Sequence, residues 1–125
     1  HSHLPRIDQA IAASALHAAA LVGAKAIVAL TDSGSTALWM SRRRIGIPIY
    51  ALTPRVATQR KMALYRNVIP MLMDTSADRD EALRQAESCL LRHGVMSQGD
   101  IYAITCGEPM GAPGGTNMLK ISRVG

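Results

Sequence analysis

The chain contains no phenylalanine and only four aromatic residues of any kind, Trp39, Tyr50, Tyr65 and Tyr102. Proteins that bind single-stranded RNA or DNA stack bases on aromatic rings, and this sequence offers neither a stacking motif nor a zinc finger. The net charge of +5 and the isoelectric point near 9.8 therefore suit a small phosphate-bearing partner better than nucleic acid, and no nucleic-acid partner is expected. Cysteine is equally scarce. Cys89 and Cys106 are too few and too far apart for a disulfide framework or a CxxC pair, and a reducing cytoplasm is the expected setting. Long apolar runs are missing as well: the uncharged stretch Ala10 to Ala24 is alanine-rich and holds Ser14 and His17, whereas a spanning helix needs about 20 strongly apolar residues. No membrane partner and no targeting segment are expected.

What is present is enough for one core. At 125 residues, 48% of them hydrophobic and 18% charged, the chain is read as a single domain over residues 1–125 that needs neither metal nor disulfide to fold. It starts without an initiator methionine, in helical sequence, and is expected to be a fragment of a longer protein.

The order of periodic segments predicts the fold. Leu4 to Lys25 reads as a helix that is apolar on nearly every side, buried on more than one face or set against a partner. Ala26 to Leu30 is a continuous apolar run, the pattern of a strand covered on both faces. After the loop Thr31 to Thr36, a helix is expected to Arg44, a strand over Ile47 to Leu52, and a helix from the Thr53-Pro54 start to about Asn67. Val68 to Met73 is the third strand. Asp78 to Arg92 is the clearest helix, with Ala82, Leu83, Ala86, Cys89 and Leu90 at three- and four-residue spacing and Gly94 beyond its end. Ile101 to Thr105 and Met118 to Val124 complete five strands around a glycine- and proline-rich loop. This order predicts an α/β fold: a three-layer α/β/α sandwich with a mostly parallel sheet, only the last strand antiparallel.

The loop Thr31-Asp32-Ser33-Gly34-Ser35-Thr36 follows a parallel strand and precedes a helix, the place where open α/β sheets hold ligands. Hydroxyls at Thr31, Ser33, Ser35 and Thr36, a glycine that lets backbone approach, and free helix amides favour a phosphate. The same residues would also serve as an ordinary helix cap. Pro113, Gly114, Gly115 and Thr116 belong to the long loop at what should be the same sheet edge and could close over a ligand, or merely connect two strands. Arg55 and Arg60 follow a second strand end and are candidate contacts for a further negative charge. Arg42, Arg43 and Arg44 are expected to offset the end of their helix or to reach a neighbouring subunit. His17 is expected in the core, as is Cys89, while Cys106 sits at a strand end near the candidate loop. There is no Walker lysine, no GxGxxG, no nucleophile beside a base, no carboxylate pair and no metal-ligand spacing, so no catalytic residue and no metal or cofactor is expected in this domain.

The runs AIVALTDSGSTALWMSRRRIGIPIYALTP and ATQRKMALYRNVIPM, then QGDIYAITCGEP leading into PGGTNMLKI, resemble the C-terminal regulatory domain of pyruvate kinase, from about Asp8 to Val124. The resemblance implies a five-stranded sheet with the last strand antiparallel, the binding of a phosphorylated allosteric effector, and subunit contacts in a homotetramer. Phosphoryl transfer from phosphoenolpyruvate to ADP, with its magnesium and potassium sites, would lie in a separate barrel domain of the same chain. Carried over by motif, Thr31, Ser33, Gly34, Ser35 and Thr36 would hold the effector phosphate, and Gly114, Gly115 and Thr116 would belong to the closing loop. Relatives that respond to fructose 1,6-bisphosphate carry a basic residue early in the last helix, near Ala82 here, and another at the position of Asp32. Both departures favour a monophosphate, AMP or a sugar monophosphate, over the bisphosphate. Two other readings stay open: a domain that serves only assembly, through its apolar first helix and the last strand, and a free-standing phosphate-binding protein using Cys106.

Overall fold

In the computed structural model the described residues are 6–74, 78–107 and 115–125. The elements run α1 (Ile7–Val22), β1 (Ala26–Leu30), α2 (Ser35–Ser41), β2 (Ile49–Thr53), α3 (Val56–Met62), β3 (Val68–Leu72), α4 (Arg79–Arg92), β4 (Ile101–Gly107) and β5 (Thr116–Arg123). The strands form one sheet in the order β3-β2-β1-β4-β5. β1 pairs parallel with both β2 and β4, β2 with β3, and only β4 and β5 are antiparallel. The expected three-layer α/β sandwich is the fold of the molecule.

Alternation along β1 divides the core in two. Ile27 and Ala29 point into a cluster with Ala12, Ala15, Leu16 and Ala19 of α1, Ala37 and Met40 of α2 and Met62 of α3. Ala26, Val28 and Leu30 point the other way, into a cluster with Ala82, Ala86, Cys89 and Leu90 of α4. Three helices therefore cover one face and α4 the other, because the chain steps from β1 outward to β3 and α4 then carries it back past β1 to β4. All five β1 residues are buried, as a strand covered on both faces requires. Each large side chain fully sequestered here, such as Ile27, Ile49, Leu52 or Ile104, contributes roughly 1.5–3 kcal/mol through removal of apolar surface from water.

α1 buries one stripe only. Ala12, Ala15, Leu16 and Ala19 face the sheet, while Ile7 and Leu21 are 69% and 73% exposed. His17, expected in the core, is exposed, since its position falls on the outward side of that stripe. The helix ends at Gly23, whose φ of 67° closes the last turn with its amide on the Ala19 carbonyl.

Several boundaries differ from expectation. Thr53 does not cap α3: it is the last residue of β2, paired with Leu72 and fully buried, and its hydroxyl accepts the Arg55 amide at 3.2 Å. Sheet pairing thus outweighs the Thr-Pro helix signal, and α3 starts two residues later than Pro54. It ends at Met62, short of Asn67, because turns at Leu64 and Tyr65 and the left-handed Asn67 (φ 63°) feed directly into β3. α2 stops at Ser41, and β4 extends two residues beyond Thr105 to Gly107. The α4 boundaries hold, with the Asp78 carboxylate accepting the Glu81 amide at 3.3 Å.

Candidate functional site

The sheet order places a topological switch between β1 and β4: the strand after β1 lies on one side of it, and β4 returns on the other. Crevices at the carboxyl ends of two such strands are where open α/β sheets bind ligands. The loop from Thr31 to Ser35 leaves β1 at this point, beside the carboxyl end of β4.

The hydroxyls of the first loop divide into two sets. Thr31 Oγ1 accepts the Gly34 amide at 2.9 Å, and Ser33 Oγ accepts the Ser35 amide at 3.3 Å. Thr36 is 1% exposed and donates to Thr116 Oγ1 at 2.6 Å. That bond ties the start of α2 to the start of β5, 80 residues away in sequence. Gly34 adopts φ 85°, and a Cβ there would lie 3.2 Å from the Met62 side chain, so backbone conformation and packing both call for glycine. Thr31, Gly34 and Thr36 thus face the fold. Ser33 and Ser35 face outward, onto a hollow of about 380 Å³ lined also by Arg6, Leu38, Trp39, Lys61 and Tyr65.

Charge in this hollow is organised by a residue that sequence reasoning passed over. Asp8 has a fully buried side chain. Its carboxylate accepts the Ser35 hydroxyl and the Arg6 guanidinium, each at 2.8 Å, and the Gln9 amide at 2.9 Å. Arg6 also approaches Ser35 Oγ at 3.5 Å. With its charge met on three sides, Asp8 positions Ser35 while Arg6 remains 56% exposed at the rim.

On the other flank, Asp32 receives Arg55 Nε at 2.9 Å, and this contact raises the pKa of the guanidinium above its ordinary value. The Asp32 carbonyl accepts the Thr58 hydroxyl at 2.8 Å. Arg55 is therefore engaged by the loop's own acid. Arg60 is exposed on α3 and has no ion pair among the described residues. Pro113 and Gly114 lie outside the described residues. Gly115 and Thr116 lie at the mouth of β5, the latter bonded to Thr36. Cys106 is not in a loop: it is a fully buried β4 residue on the α4 side of the sheet, shielded from the nucleophilic role that its position suggested. Ala82 is likewise fully buried in that core, so the place where a basic residue was sought carries packing. Among the described residues, no group of three or more His, Cys, Asp or Glu is placed to hold a metal, and no helix is long and apolar enough to cross a membrane.

Residues 9–122 match the family described as pyruvate kinase, alpha/beta domain. The chain belongs to that family. It is similar to the pyruvate kinase of Buchnera aphidicola subsp. Baizongia pistaciae, at 38% identity over 99% of this chain and 26% of the relative. It is also similar to pyruvate kinase II of Salmonella typhimurium, at 40% identity over 94% of this chain and 25% of the relative. Against the pyruvate kinase of Staphylococcus haemolyticus the identity is 39%, over 93% of this chain and 20% of the relative. The chain thus spans about a quarter or less of the length of these curated relatives.

Within this pyruvate kinase α/β domain, sequence reasoning located the loop but not what holds it. Asp8, Thr58 and Lys61 reach the loop region from other elements, and each looks in sequence like an ordinary helix residue. One signal was available: Asp8 is the lone acid of an otherwise apolar helix, a charge that needs a partner if it is buried.

Proposed function

We propose that this chain is the regulatory portion of a cytoplasmic, glycolytic pyruvate kinase and that it binds a phosphorylated small-molecule effector at the loop after β1. The parent enzyme would transfer the phosphoryl group of phosphoenolpyruvate to ADP in a separate barrel domain of the same chain, where magnesium and potassium would also reside. This domain would carry no catalytic residue.

One observation carries the effector reading. Ser33 and Ser35 open onto a hollow flanked by Arg6 and Lys61, at the switch point of a sheet in a chain of the pyruvate kinase family. The Gly34 and Ser35 amides are met by loop hydroxyls, so the donors offered to the hollow are the Ser33 hydroxyl and the cations Arg6 and Lys61. A phosphate fits this donor set. AMP and sugar monophosphates are favoured over fructose 1,6-bisphosphate, since Ala82 is core and Asp32 is an acid paired with Arg55. Gly114, Gly115 and Thr116 would complete the site as its closing loop.

The test is a two-dimensional amide NMR titration with inorganic phosphate, AMP, glucose 6-phosphate and fructose 1,6-bisphosphate. Saturable shifts at Ser33 to Thr36 are expected, and Ser33→Ala should weaken the tightest ligand by about 1–3 kcal/mol, as loss of a hydrogen bond to a charged group does. Absence of shifts with all four ligands would remove the effector reading.

A second role, assembly into a homo-oligomer, has its own support. The outward stripe of α1 exposes Ile7 and Leu21, and β5 is an eight-residue strand at the open edge of the sheet. Such edges pair with other chains unless they are protected.

A further inference from the structure

A serine hydroxyl has a single proton to donate, and that of Ser35 goes to a carboxylate of the chain itself. Asp8 Oδ2 receives the Ser35 hydroxyl and the Arg6 guanidinium, each at 2.8 Å, and Asp8 Oδ1 receives the Gln9 amide at 2.9 Å. Ser35 and Arg6 both border the hollow, and both are thus bonded to an anion before any ligand arrives.

An acid in the first turn of a helix is ordinarily explained by the helix dipole. The dipole does not explain why the Asp8 side chain is fully buried, nor why it reaches a serine of another helix, 27 residues on. Taking a carboxylate out of water is costly and is tolerated only where hydrogen-bond donors replace the water, so Asp8 needs Ser35 and Arg6 as its partners. The two donors differ in what they can share. Arg6 is 56% exposed and its guanidinium carries several N–H groups, so it can hold Asp8 and a second anion at once. Ser35 cannot: its hydroxyl serves Asp8 or a ligand, never both.

We propose that Asp8 is the chain's own rival to the effector phosphate: in the unliganded domain it holds Ser35, and an anion entering the hollow takes that hydroxyl from it. The inference rests on the effector reading above and adds a means of regulating that site. The exchange has a structural consequence, because the bond between Asp8 and Ser35 ties the first turn of α1 to the start of α2. Once Ser35 turns to the ligand, Asp8 keeps only Arg6 and the Gln9 amide, and the first turn of α1, with the exposed Ile7 beside Asp8, loses its side-chain bond to α2. Anion binding at the loop and the setting of α1 are thereby coupled. The coupling is reciprocal: whatever draws Asp8 away from Ser35 raises the affinity of the loop for an anion.

The probe is inorganic phosphate, followed by calorimetry and amide NMR. Asp8→Asn keeps the shape and an acceptor oxygen but removes the charge. Hydrogen bonds to a charged group are about twice as strong as neutral ones, so the variant gives up Ser35 more readily and should bind phosphate about five- to tenfold more tightly than the unmodified chain. A residue that only positioned Ser35 would act the other way, and affinity that is unchanged or weaker in Asp8→Asn would overturn the proposal while leaving the loop reading in place. A second readout uses the unmodified chain, so the result does not depend on the variant folding. The Gln9 amide reports on the Asp8 carboxylate and should shift with the same midpoint as the amides of Ser33 to Ser35. A Gln9 amide that stays still while those move would also overturn the exchange. Binding to Asp8→Asn alone would support it, as the case in which the rival wins outright. Failure of phosphate to bind either chain would overturn the loop reading and this inference together.

Discussion

The two faces of the sheet are built on different terms. On one, α1, α2 and α3 pack side by side, and polar ties cross between the elements: Asp8 to Ser35, Thr58 to the Asp32 carbonyl, Thr36 to Thr116. On the other, α4 alone lies over the strands, and its cross-layer tie is the hydrogen bond from the Tyr102 hydroxyl to the Glu87 carboxylate. Apolar burial holds both faces. On the first, such directional bonds tie helix to helix and helix to loop as well, and that is the face on which the candidate site opens. Directional bonds fix geometry as well as energy, and a phosphate site needs fixed geometry.

The largest test of this contrast is a matched pair of cavities in the two cores. Ile27→Ala on the three-helix side and Ile104→Ala on the α4 side should each destabilise by about 2–5 kcal/mol. The first should lie at the upper end, because a layer of three interlocked helices collapses less readily into the space, whereas a single helix can shift. Chemical denaturation would read both, and a larger loss at Ile104 would invert the comparison. Next comes the long tie. Thr36→Val keeps the shape and removes the donor to Thr116, leaving a buried hydroxyl short of a partner, and should lower stability by about 1–3 kcal/mol. A neutral result would mean that apolar packing alone sets this junction.

The smallest effect belongs to the α4 face and is seen in alkali. Burial, followed by the hydrogen bond to Glu87, pushes the Tyr102 pKa up from 10.0 to about 12. Between those values the folded protein keeps a proton that the unfolded chain has lost, so stability falls as pH rises through this window and is unaffected by Tyr102 below it. Denaturation at a series of pH values from 9 upward should show that slope, and Tyr102→Phe should remove its share. An unchanged slope in the variant would assign the alkaline loss to other groups.

Much of the fold is legible in the sequence because its signals are local. The uninterrupted AIVAL run and the spacing of Ala82, Ala86 and Leu90 each report burial within a few residues of chain. The start of α3 misled because Thr53-Pro54 is a good helix signal that pairing with β3 overrides. His17 misled because an alanine-rich helix presents apolar residues on every side, and its inward stripe is set by where the sheet lies. The candidate loop is legible from strand, hydroxyls and glycine in succession. Its supports are not, since Asp8, Thr58 and Lys61 come to it from other elements.

The hydrogen bond from Thr36 to Thr116 also sets an order of events. A ribosome that delivers this chain from its amino end exposes β1 and the whole Ser33–Thr36 loop long before β5 exists, at roughly 5–20 residues per second. For the seconds that separate them, the start of α2 lacks the acceptor it will finally hold. The junction of α2 with β5 is then among the last parts of the domain to be finished, although one side of it is made early.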